Sequence, residues 1–255
     1  MDAIAVILEL LLGFSAGFAG ALLGVGGGFL ITPILVLLLN MPIHVAVATS
    51  LIAVTMTSIS GTLFYAKRGM IDYRLGLILE ITTAIGAMTG SRIAIFLPES
   101  IVELLFGLVL MYASIKMILP KRADKKESIG RVEYKRMHLG LAASFLAGMA
   151  SGMLGIGGGT VKVPIMNLIL NVPMNVAAPT SIFMIGLTSS TASLVYLIKG
   201  YVDLVAASII SLGVFVGAQL GGRVGVRLRN VVLRRSFGVV LFFTAFRMVL
   251  KAFGV

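Results

Sequence analysis

Two glycine-rich runs carry the clearest signal for chemistry in this sequence, the binding of an anion by backbone groups. GVGGG occupies Gly24–Gly28 and GIGGG occupies Gly155–Gly159, and an apolar stretch follows each run. Because glycine costs a helix about 1 kcal/mol relative to alanine, each run is predicted to interrupt a helix. A helix that begins after such a break offers unpaired N–H groups and the positive end of its dipole to an anion. The predicted binding residues are Gly26, Gly27, Gly28, Gly157, Gly158 and Gly159.

Close packing of helices is the alternative role for glycine in an apolar chain, because small residues four apart let two backbones approach. This spacing occurs away from the runs at Gly13/Gly17, Gly86/Gly90, Gly148/Gly152 and Gly213/Gly217/Gly221. We therefore expect packing at these spaced glycines and anion binding at the two runs.

Cationic residues inside apolar segments are the next candidates, because a charge at membrane depth costs a few kcal/mol and needs a reason. Lys162 follows the second glycine run and would add a positive charge to the anion site; alternatively, its ammonium reaches the membrane surface along its flexible stem. Arg92 and Arg223 occupy equivalent positions near the ends of two segments. They would hold an oxyanion through two parallel hydrogen bonds or anchor their helices at lipid headgroups.

One carboxylate and several neutral polar residues complete the candidate set. Glu80 lies about 10 Å inside an apolar segment. It is the candidate carrier of a proton whose movement is coupled to that of the anion, or else a static partner of Arg92 or Lys162. Asn167 is a candidate substrate contact, and Gln219 lies one helical turn before Arg223 on the same face.

The chain divides into two halves of five apolar segments each, and a Thr-Ser pair opens the third segment of each half. Thr49 and Ser50 in the first half, and Thr180 and Ser181 in the second, are predicted either to cap a helix or to donate hydrogen bonds to a bound oxyanion.

These candidates belong to a duplicated unit. Leu22–Ser50 returns as Met153–Ser181, and Gly155 lies 131 residues after Gly24. The same offset holds without a gap for Pro33/Pro164, Asn40/Asn171, Pro42/Pro173, Gly69/Gly200, Asp72/Asp203, Gly86/Gly217, Gly90/Gly221 and Arg92/Arg223. The asparagines precede prolines and are predicted turn residues. A duplicated unit in an apolar chain indicates a transporter built from two related halves.

Composition defines the class of protein. The 255 residues are 58% hydrophobic and 12% charged, whereas soluble domains carry about 25% charged residues. Apolar stretches of about 20 residues recur, each long enough to cross a hydrocarbon core of ~30 Å. The net charge of +11 is concentrated in short loops, which is typical of cytoplasmic loops and argues against nucleic-acid binding. With no cysteine and two histidines, disulfides and thiolate metal sites are excluded, and we expect no metal and no cofactor.

The predicted fold is an all-α polytopic membrane protein with about eight to ten membrane segments. The first half (1–120) contains apolar segments at about Ala3–Leu23, Gly28–Leu39, His44–Ala66, Tyr73–Phe96 and Ile101–Leu119. The second half (138–255) contains them at His138–Leu154, Gly159–Leu170, Asn175–Ile198, Leu204–Leu228 and Leu233–Phe253. A basic linker, 121–137, joins the halves. The 12 residues of Gly28–Leu39 would form about 18 Å of helix, so the second segment of each half is broken or re-entrant.

Loop charges favour inverted repeats. Residues 98–100 carry one acidic residue, whereas the equivalent loop of the second half carries Arg227, Arg229, Arg234 and Arg235. Equivalent loops with opposite charge belong on opposite sides of the membrane, which requires an odd number of crossings in each half. If the short segments turn back instead, each half crosses four times. We place the charged stretch 121–136 in the cytoplasm and the chain in the cell membrane.

At its repeated motifs the chain resembles the sulfite exporter TauE/SafE family, also called the 4-toluene sulfonate uptake permeases. The residues that carry the resemblance are LLGVGGGFLITPIL, MLGIGGGTVKVPIMNL and the following N-x-P…A-x-x-T-S of each half. The resemblance covers nearly the whole chain. It implies a secondary transporter of small sulfur-containing anions such as sulfite, thiosulfate or organosulfonates.

The sequence therefore predicts a membrane transporter, not an enzyme, working by alternating access as one half rocks against the other around a central site. An anion channel, a transporter of a non-sulfur organic anion and a subunit of a larger complex remain alternatives. The expected partners are a small anionic substrate, the lipid bilayer and a coupling ion, proton or sodium, with a homo-oligomer left open and no nucleic acid.

Overall fold

The computed structural model describes residues 3–23, 26–118, 136–225 and 231–254. Within these ranges the chain forms helices and no strand. The helices are α1 (Ala3–Leu23), α2 (Gly28–Leu38), α3 (Ile43–Ala66), α4 (Tyr73–Phe96), α5 (Glu99–Ile118), α6 (Met137–Leu154), α7 (Gly159–Pro164), α8 (Met174–Ile198), α9 (Leu204–Gly225) and α10 (Val231–Ala252). The predicted all-α fold is confirmed, with segment ends that differ from the predicted ends by a few residues.

By length and composition, five of the described helices can cross a membrane: α3, α4, α6, α8 and Leu204–Val224 of α9. Helix α2 has 11 residues, about 16 Å, which is too short to span. The protein is therefore a multi-pass membrane protein.

The second short segment differs from the predicted single helix. Helix α7 ends after six residues at Pro164, and Ile165–Ile169 continues as one π-helical turn. Its widened hydrogen bond runs from the Leu170 N–H to the Ile165 carbonyl. Asn171 then adopts the left-handed conformation, φ 52°, as Asn40 does at the equivalent turn of the first half, φ 50°. The prediction of turn residues at both asparagines is confirmed.

Spaced glycines hold two helix pairs at close range. Gly13 and Gly17 of α1 pack on the backbone of Ile210 and Val214 of α9. Residue numbers rise together in the two helices, so α1 and α9 run parallel. Added methyl groups would collide with backbone atoms at these positions, which confirms close packing as the role of these glycines.

The pair α4–α6 repeats this arrangement. Gly86 packs on Phe145 and Gly90 packs on Met149, so these helices are also parallel. The repeat relates α1 to α6 and α9 to α4, so the two pairs are equivalent. In each pair, one helix comes from the first half and its partner from the second.

A different geometry joins helices that are each other's repeat equivalents. In the pair α5–α10, Gly107 packs on Val249, whereas Gly238 packs on Ile118. Numbers that rise in one helix fall in the other, so α5 and α10 are antiparallel. The equivalent central helices α3 and α8 cross where Ser58 and Gly61 contact Ile182.

A partly buried ion pair contacts the C-terminal end of α2. Lys251 Nζ of α10 donates a hydrogen bond to the Val36 carbonyl at 3.0 Å and lies 3.6 Å from a carboxylate oxygen of Glu103 in α5. The last carbonyls of a helix have no partner within it, so this ammonium satisfies one of them.

Three predicted features lie outside the described residues. They are Gly24 of the first glycine run, almost all of the basic stretch 121–136, and the loop arginines Arg227 and Arg229. The side chains of Arg234 and Arg235 are likewise not described. The boundaries of the two halves and the side of the linker stay predictions.

Candidate functional site

Both glycine runs interrupt a helix, as predicted. Helix α1 ends at Leu23 and α2 begins at Gly28, while α6 ends at Leu154 and α7 begins at Gly159. The chain turns through the left-handed region at Gly26, Gly27, Gly155, Gly157 and Gly158, with φ between 69° and 91°. Residues with a side chain are strained in this conformation, so the breaks depend on glycine itself.

The two runs meet at the centre of the molecule. Gly28 packs against the carbonyl oxygen of Gly155, so closely that a methyl group at Gly28 would collide with it. Ser50 Oγ lies 3.1 Å from the same carbonyl oxygen and accepts a hydrogen bond from Thr32 Oγ1 at 2.8 Å. These contacts join the break in the second half to helices α2 and α3 of the first half.

The Thr-Ser pairs do not cap their own helices. Helix α3 begins at Ile43 and α8 at Met174, so both pairs lie inside a helix, about two turns from its start. All four residues are fully buried. Thr180 Oγ1 accepts a hydrogen bond from the Asp72 N–H at 3.0 Å and so fixes the start of α4. Within the described structure, Thr49 Oγ1 and Ser181 Oγ have no hydrogen-bond partner.

Two apolar side chains contact both glycine runs. Val54 of α3 and Ile185 of α8 are repeat equivalents, 131 residues apart. Both face Gly26 of the first run and Gly157 of the second. A small cavity lies on the side of the first run, and Ile185 forms part of its wall. It is lined by Gly20, Ala21, Gly26, Thr57, Ser58, Gly61, Ile182 and Ile185.

Lys162 is buried beside the second run, with a residue exposure of 1%. Its Nζ lies 3.2 Å from Glu80 Oε2 and donates a hydrogen bond to Thr188 Oγ1. The Thr188 hydroxyl lies 2.5 Å from Glu80 Oε1, which closes a triangle of polar groups. The interpretation of Lys162 as a side chain that extends to the membrane surface is therefore wrong. Of the two static partners considered for Glu80, the structure selects Lys162 and not Arg92.

Sequence analysis missed Thr188, although a signal for it was present. Thr188 lies seven residues, two helical turns, after Ser181 and so lies on the same face of α8. It is also the repeat equivalent of Thr57.

Two buried hydroxyl groups beside the second run have no hydrogen-bond partner among the described residues: Ser151 Oγ and Ser189 Oγ. A methyl group built on Gly158 would lie 3.4 Å from Ser151 Oγ and 3.5 Å from Lys162 Cε. A methyl group on Gly157 would lie 3.6 Å from Ser189 Oγ. An unpaired buried hydroxyl costs about 1–3 kcal/mol, so two of them beside the second run, one close to the buried Lys162 side chain, indicate a place for a ligand. Sequence analysis did not single out either serine.

Four predicted site residues are not brought to this cluster. Arg92 and Arg223 are exposed, and no ion pair is described for either, which favours their alternative role as anchors at lipid headgroups. The Asn167 amide donates to the Val172 carbonyl at 2.9 Å, so it stabilises the turn after the π-helical residues. Gln219 is partly buried on α9, and no hydrogen bond is described for it.

The cluster contains hydrogen-bond donors of the kind that an oxyanion requires, beside the carboxylate of Glu80. An ammonium and two hydroxyls are hydrogen-bond donors that suit the several oxygens of an oxyanion. Helix α7 has only six residues, so Lys162 supplies most of the positive charge. Among the described residues, no group of three or more His, Cys, Asp or Glu is arranged to hold a metal ion.

Comparison with known proteins identifies the family of the chain. The family model for the sulfite exporter TauE/SafE family matches residues 9–248. The chain is 30% identical to the probable membrane transporter protein YunE of Bacillus subtilis, over 92% of this chain and 94% of that protein. It is 28% identical to the probable membrane transporter protein MJ0441 of Methanocaldococcus jannaschii, over 92% of this chain and 91% of that protein.

A more distant relative comes from a plant. The sulfite exporter TauE/SafE family protein 6 of Arabidopsis thaliana is 22% identical over 85% of this chain and 73% of its own length. No solved structure matches the chain. The family model spans nearly all of the duplicated, all-helical chain, and the chain belongs to the sulfite exporter TauE/SafE family of membrane transporters.

Proposed function

We propose that this protein is a secondary transporter of small sulfur-containing anions, such as sulfite, thiosulfate or organosulfonates, in the cell membrane. The observation that carries the proposal is the cluster beside the second glycine run, where Lys162 lies near the unpaired hydroxyl of Ser151 and a second unpaired hydroxyl, that of Ser189, faces the same run. The substrate class comes from the family description and from the name of the Arabidopsis relative, which both refer to sulfite export.

The direction of the helices supports inverted repeats. A two-fold axis along the membrane normal would leave equivalent helices parallel, whereas an axis in the membrane plane reverses them. The equivalent helices α5 and α10 are antiparallel, as Gly107 on Val249 and Gly238 on Ile118 indicate. We therefore propose five crossings in each half. Each short helix is too short to span by itself, and it would cross together with the non-helical glycine run before it and the turn after it.

Alternating access would move Val54 and Ile185, the two side chains that contact both glycine runs. Ile185 contacts the second run and also forms a wall of the cavity beside the first run. Displacement of Val54 and Ile185 would connect that cavity to the cluster at Lys162. Because the tight pairs α1–α9 and α4–α6 cross between halves, the moving groups of helices would contain parts of both halves. This differs from the sequence-based expectation that one half rocks against the other.

Ligand-induced stabilisation of the purified protein tests the substrate class. Sulfite, thiosulfate and methanesulfonate are compared with chloride and acetate. A ligand at 100 times its Kd adds ~2.7 kcal/mol to the free energy of unfolding, which raises Tm measurably. We expect stabilisation by at least one sulfur anion and none by chloride. Stabilisation by acetate alone would overturn the sulfur assignment and leave an organic-anion transporter.

Transport in proteoliposomes tests the mechanism. A carrier shows saturating uptake and counterflow, in which substrate inside the vesicle accelerates entry of labelled substrate. Uptake that rises linearly with concentration and shows no counterflow would indicate a channel.

A further inference from the structure

The buried ion pair at the candidate site presents a problem for anion binding. Lys162 and Glu80 have exposures of 1% and 4%, and their charges compensate each other. An anion that enters next to an intact pair meets no net positive charge. It also brings a third charge into a place where two are already removed from water.

The geometry offers one way for an anion to bind. An ammonium has three N–H donors, and the described residues give Lys162 Nζ two acceptors, Glu80 Oε2 and Thr188 Oγ1. An anion can use the remaining N–H and then take the place of Glu80 Oε2. If Glu80 stayed ionised, this exchange would leave a buried carboxylate without a counter-charge, which is strongly unfavourable. If Glu80 carries a proton, the exchange replaces one anion by another at the same ammonium.

We propose that Lys162, Thr188 and Glu80 form a proton-exchange site in which an anion replaces the Glu80 carboxylate at Lys162 as Glu80 takes up one proton. The proton passes from water to a carboxylate oxygen of Glu80, Lys162 stays an ammonium, and no bond of the anion changes. Thr188 Oγ1, which contacts both partners, holds the protonated carboxyl near the ammonium. This inference rests on the proposed function, and it makes the coupling ion a proton, one for each anion.

Among the described residues on the helices packed around Glu80, Lys162 is the charged group in contact with its carboxylate. On the packed elements α4, α6, α7 and α8, the other charged or titratable side chains are exposed or engaged elsewhere. Tyr73, Arg74, Arg92, His138 and Lys199 are exposed, Asp72 accepts from the Leu75 N–H, and Tyr196 donates to the Gly152 carbonyl.

The repeat limits the stoichiometry. The equivalents of Lys162, Glu80 and Thr188 in the other half are Ile31, Ser211 and Thr57. These side chains hold no charge, so the duplicated fold contains one such charged triad and not two.

The test counts protons during anion binding. The probes are thiosulfate, which is divalent, and methanesulfonate, which is monovalent, because both keep their charge through the neutral pH range, whereas sulfite does not. Titration calorimetry in two buffers with different ionisation enthalpies gives the number of protons taken up per anion bound. The variants are Glu80→Gln, which imitates the protonated carboxyl, and Glu103→Gln, a control that removes a buried carboxylate from the other described ion pair, whose lysine is partly exposed.

For the native protein we expect anion binding to weaken above a certain pH. Above that pH, the Kd of the anion rises about tenfold per pH unit, and one proton is taken up for each anion that binds. Glu80→Gln binds both anions with a Kd independent of pH and takes up no proton. Glu103→Gln behaves like the native protein. In proteoliposomes, methanesulfonate uptake by the native protein moves no net charge, whereas thiosulfate uptake moves one negative charge.

Other outcomes overturn the inference. Anion binding by the native protein without proton uptake at any pH would remove the exchange while the proposed function stands. A folded Glu80→Gln variant that still takes up one proton would transfer the exchange to another group. If Glu80→Gln does not fold, proton uptake and charge movement in the native protein decide. If neither anion binds the native protein at any pH, the proposed function itself fails.

Discussion

The two glycine runs share a backbone design but differ in what surrounds them. Around the first run the equivalent positions hold Ile31, Thr57 and Ser58, and the Ser58 hydroxyl donates to the Ile182 carbonyl at 2.5 Å. Around the second run the same positions hold Lys162, Thr188 and Ser189. There the charge is buried with Glu80, and the Ser189 hydroxyl has no partner within the described structure. Duplication thus produced two similar breaks, and of the two only the second has a buried charged pair beside it.

The strongest test of this difference is to convert the second site into the first. Lys162→Ile leaves Glu80 buried without a counter-charge, so we expect a loss of 3–5 kcal/mol in the free energy of unfolding and loss of thiosulfate binding. The double variant Lys162→Ile/Glu80→Ser reproduces the residues of the first half. We expect it to recover most of the stability but none of the binding, as measured by thermal unfolding with and without thiosulfate. Native-like binding by the double variant would show that the charged pair is not part of the site.

Thr188→Val separates the hydroxyl from the rest of the triad. The hydroxyl is hydrogen-bonded to two charged groups, so its loss should cost about 1.5–3 kcal/mol. Thr57→Val is the matched control at the equivalent position, where the hydroxyl lies 3.4 Å from the Ala53 carbonyl of its own helix. We expect a change below about 0.5 kcal/mol there. Equal effects in the two variants would mean that the triad makes no special contribution.

Gly28→Ala tests whether the two runs must touch. The added methyl group would collide with the Gly155 carbonyl oxygen and lie 2.8 Å from Val54, which should destabilise the protein by about 1–3 kcal/mol. Gly222→Ala is the control, because its nearest contact would be Phe64 at 3.8 Å. There, alanine should be neutral or stabilising by up to about 1 kcal/mol. Thermal unfolding of both variants distinguishes the outcomes, and a native-like Tm for Gly28→Ala would contradict the contact.

The smallest expected effect comes from Ser189→Ala, which removes an unpaired hydroxyl. Stability should change by less than about 0.5 kcal/mol, whereas the Kd for thiosulfate should rise about five- to tenfold through loss of one hydrogen bond. Ser58→Ala, at the equivalent position, should show the reverse, with about 1 kcal/mol less stability and an unchanged Kd. Titration calorimetry and thermal unfolding on both variants give the two quantities. Reduced stability of Ser189→Ala with unchanged affinity would remove Ser189 from the site.

The helices and their breaks were predictable because their causes are local. Apolar stretches of spanning length define the helices, and the glycine runs define the interruptions. The contact between Lys162 and Glu80 joins residues 82 positions apart, so the sequence could only offer it as one of two partners for Glu80. Ser151 and Ser189 were missed because a buried serine without a partner has the same sequence signature as a buried serine with one.

The equivalent arginines show a related limit of sequence position. Arg92 and Arg223 occupy the same register, and a guanidinium suits a lipid phosphate as well as a bound oxyanion. Sequence position does not distinguish these roles; the exposure of both side chains favours the headgroup role, and substrate binding by either arginine stays a prediction. The π-helical turn after Pro164 was also not predicted. The equivalent segment of the first half contains a proline too but stays α-helical to Leu38, so an internal proline by itself does not indicate such a turn.

The parallel pair α1–α9 has a consequence for how the protein is made. The backbone of Gly13 meets its partner at Ile210, which the ribosome adds only when most of the chain is already in the membrane. Until then, the first helix presents its glycine face to lipid. The first half therefore cannot reach its final packing alone, and a chain truncated before α9 lacks the partner for that face. Biogenesis of this protein is completed by its second half.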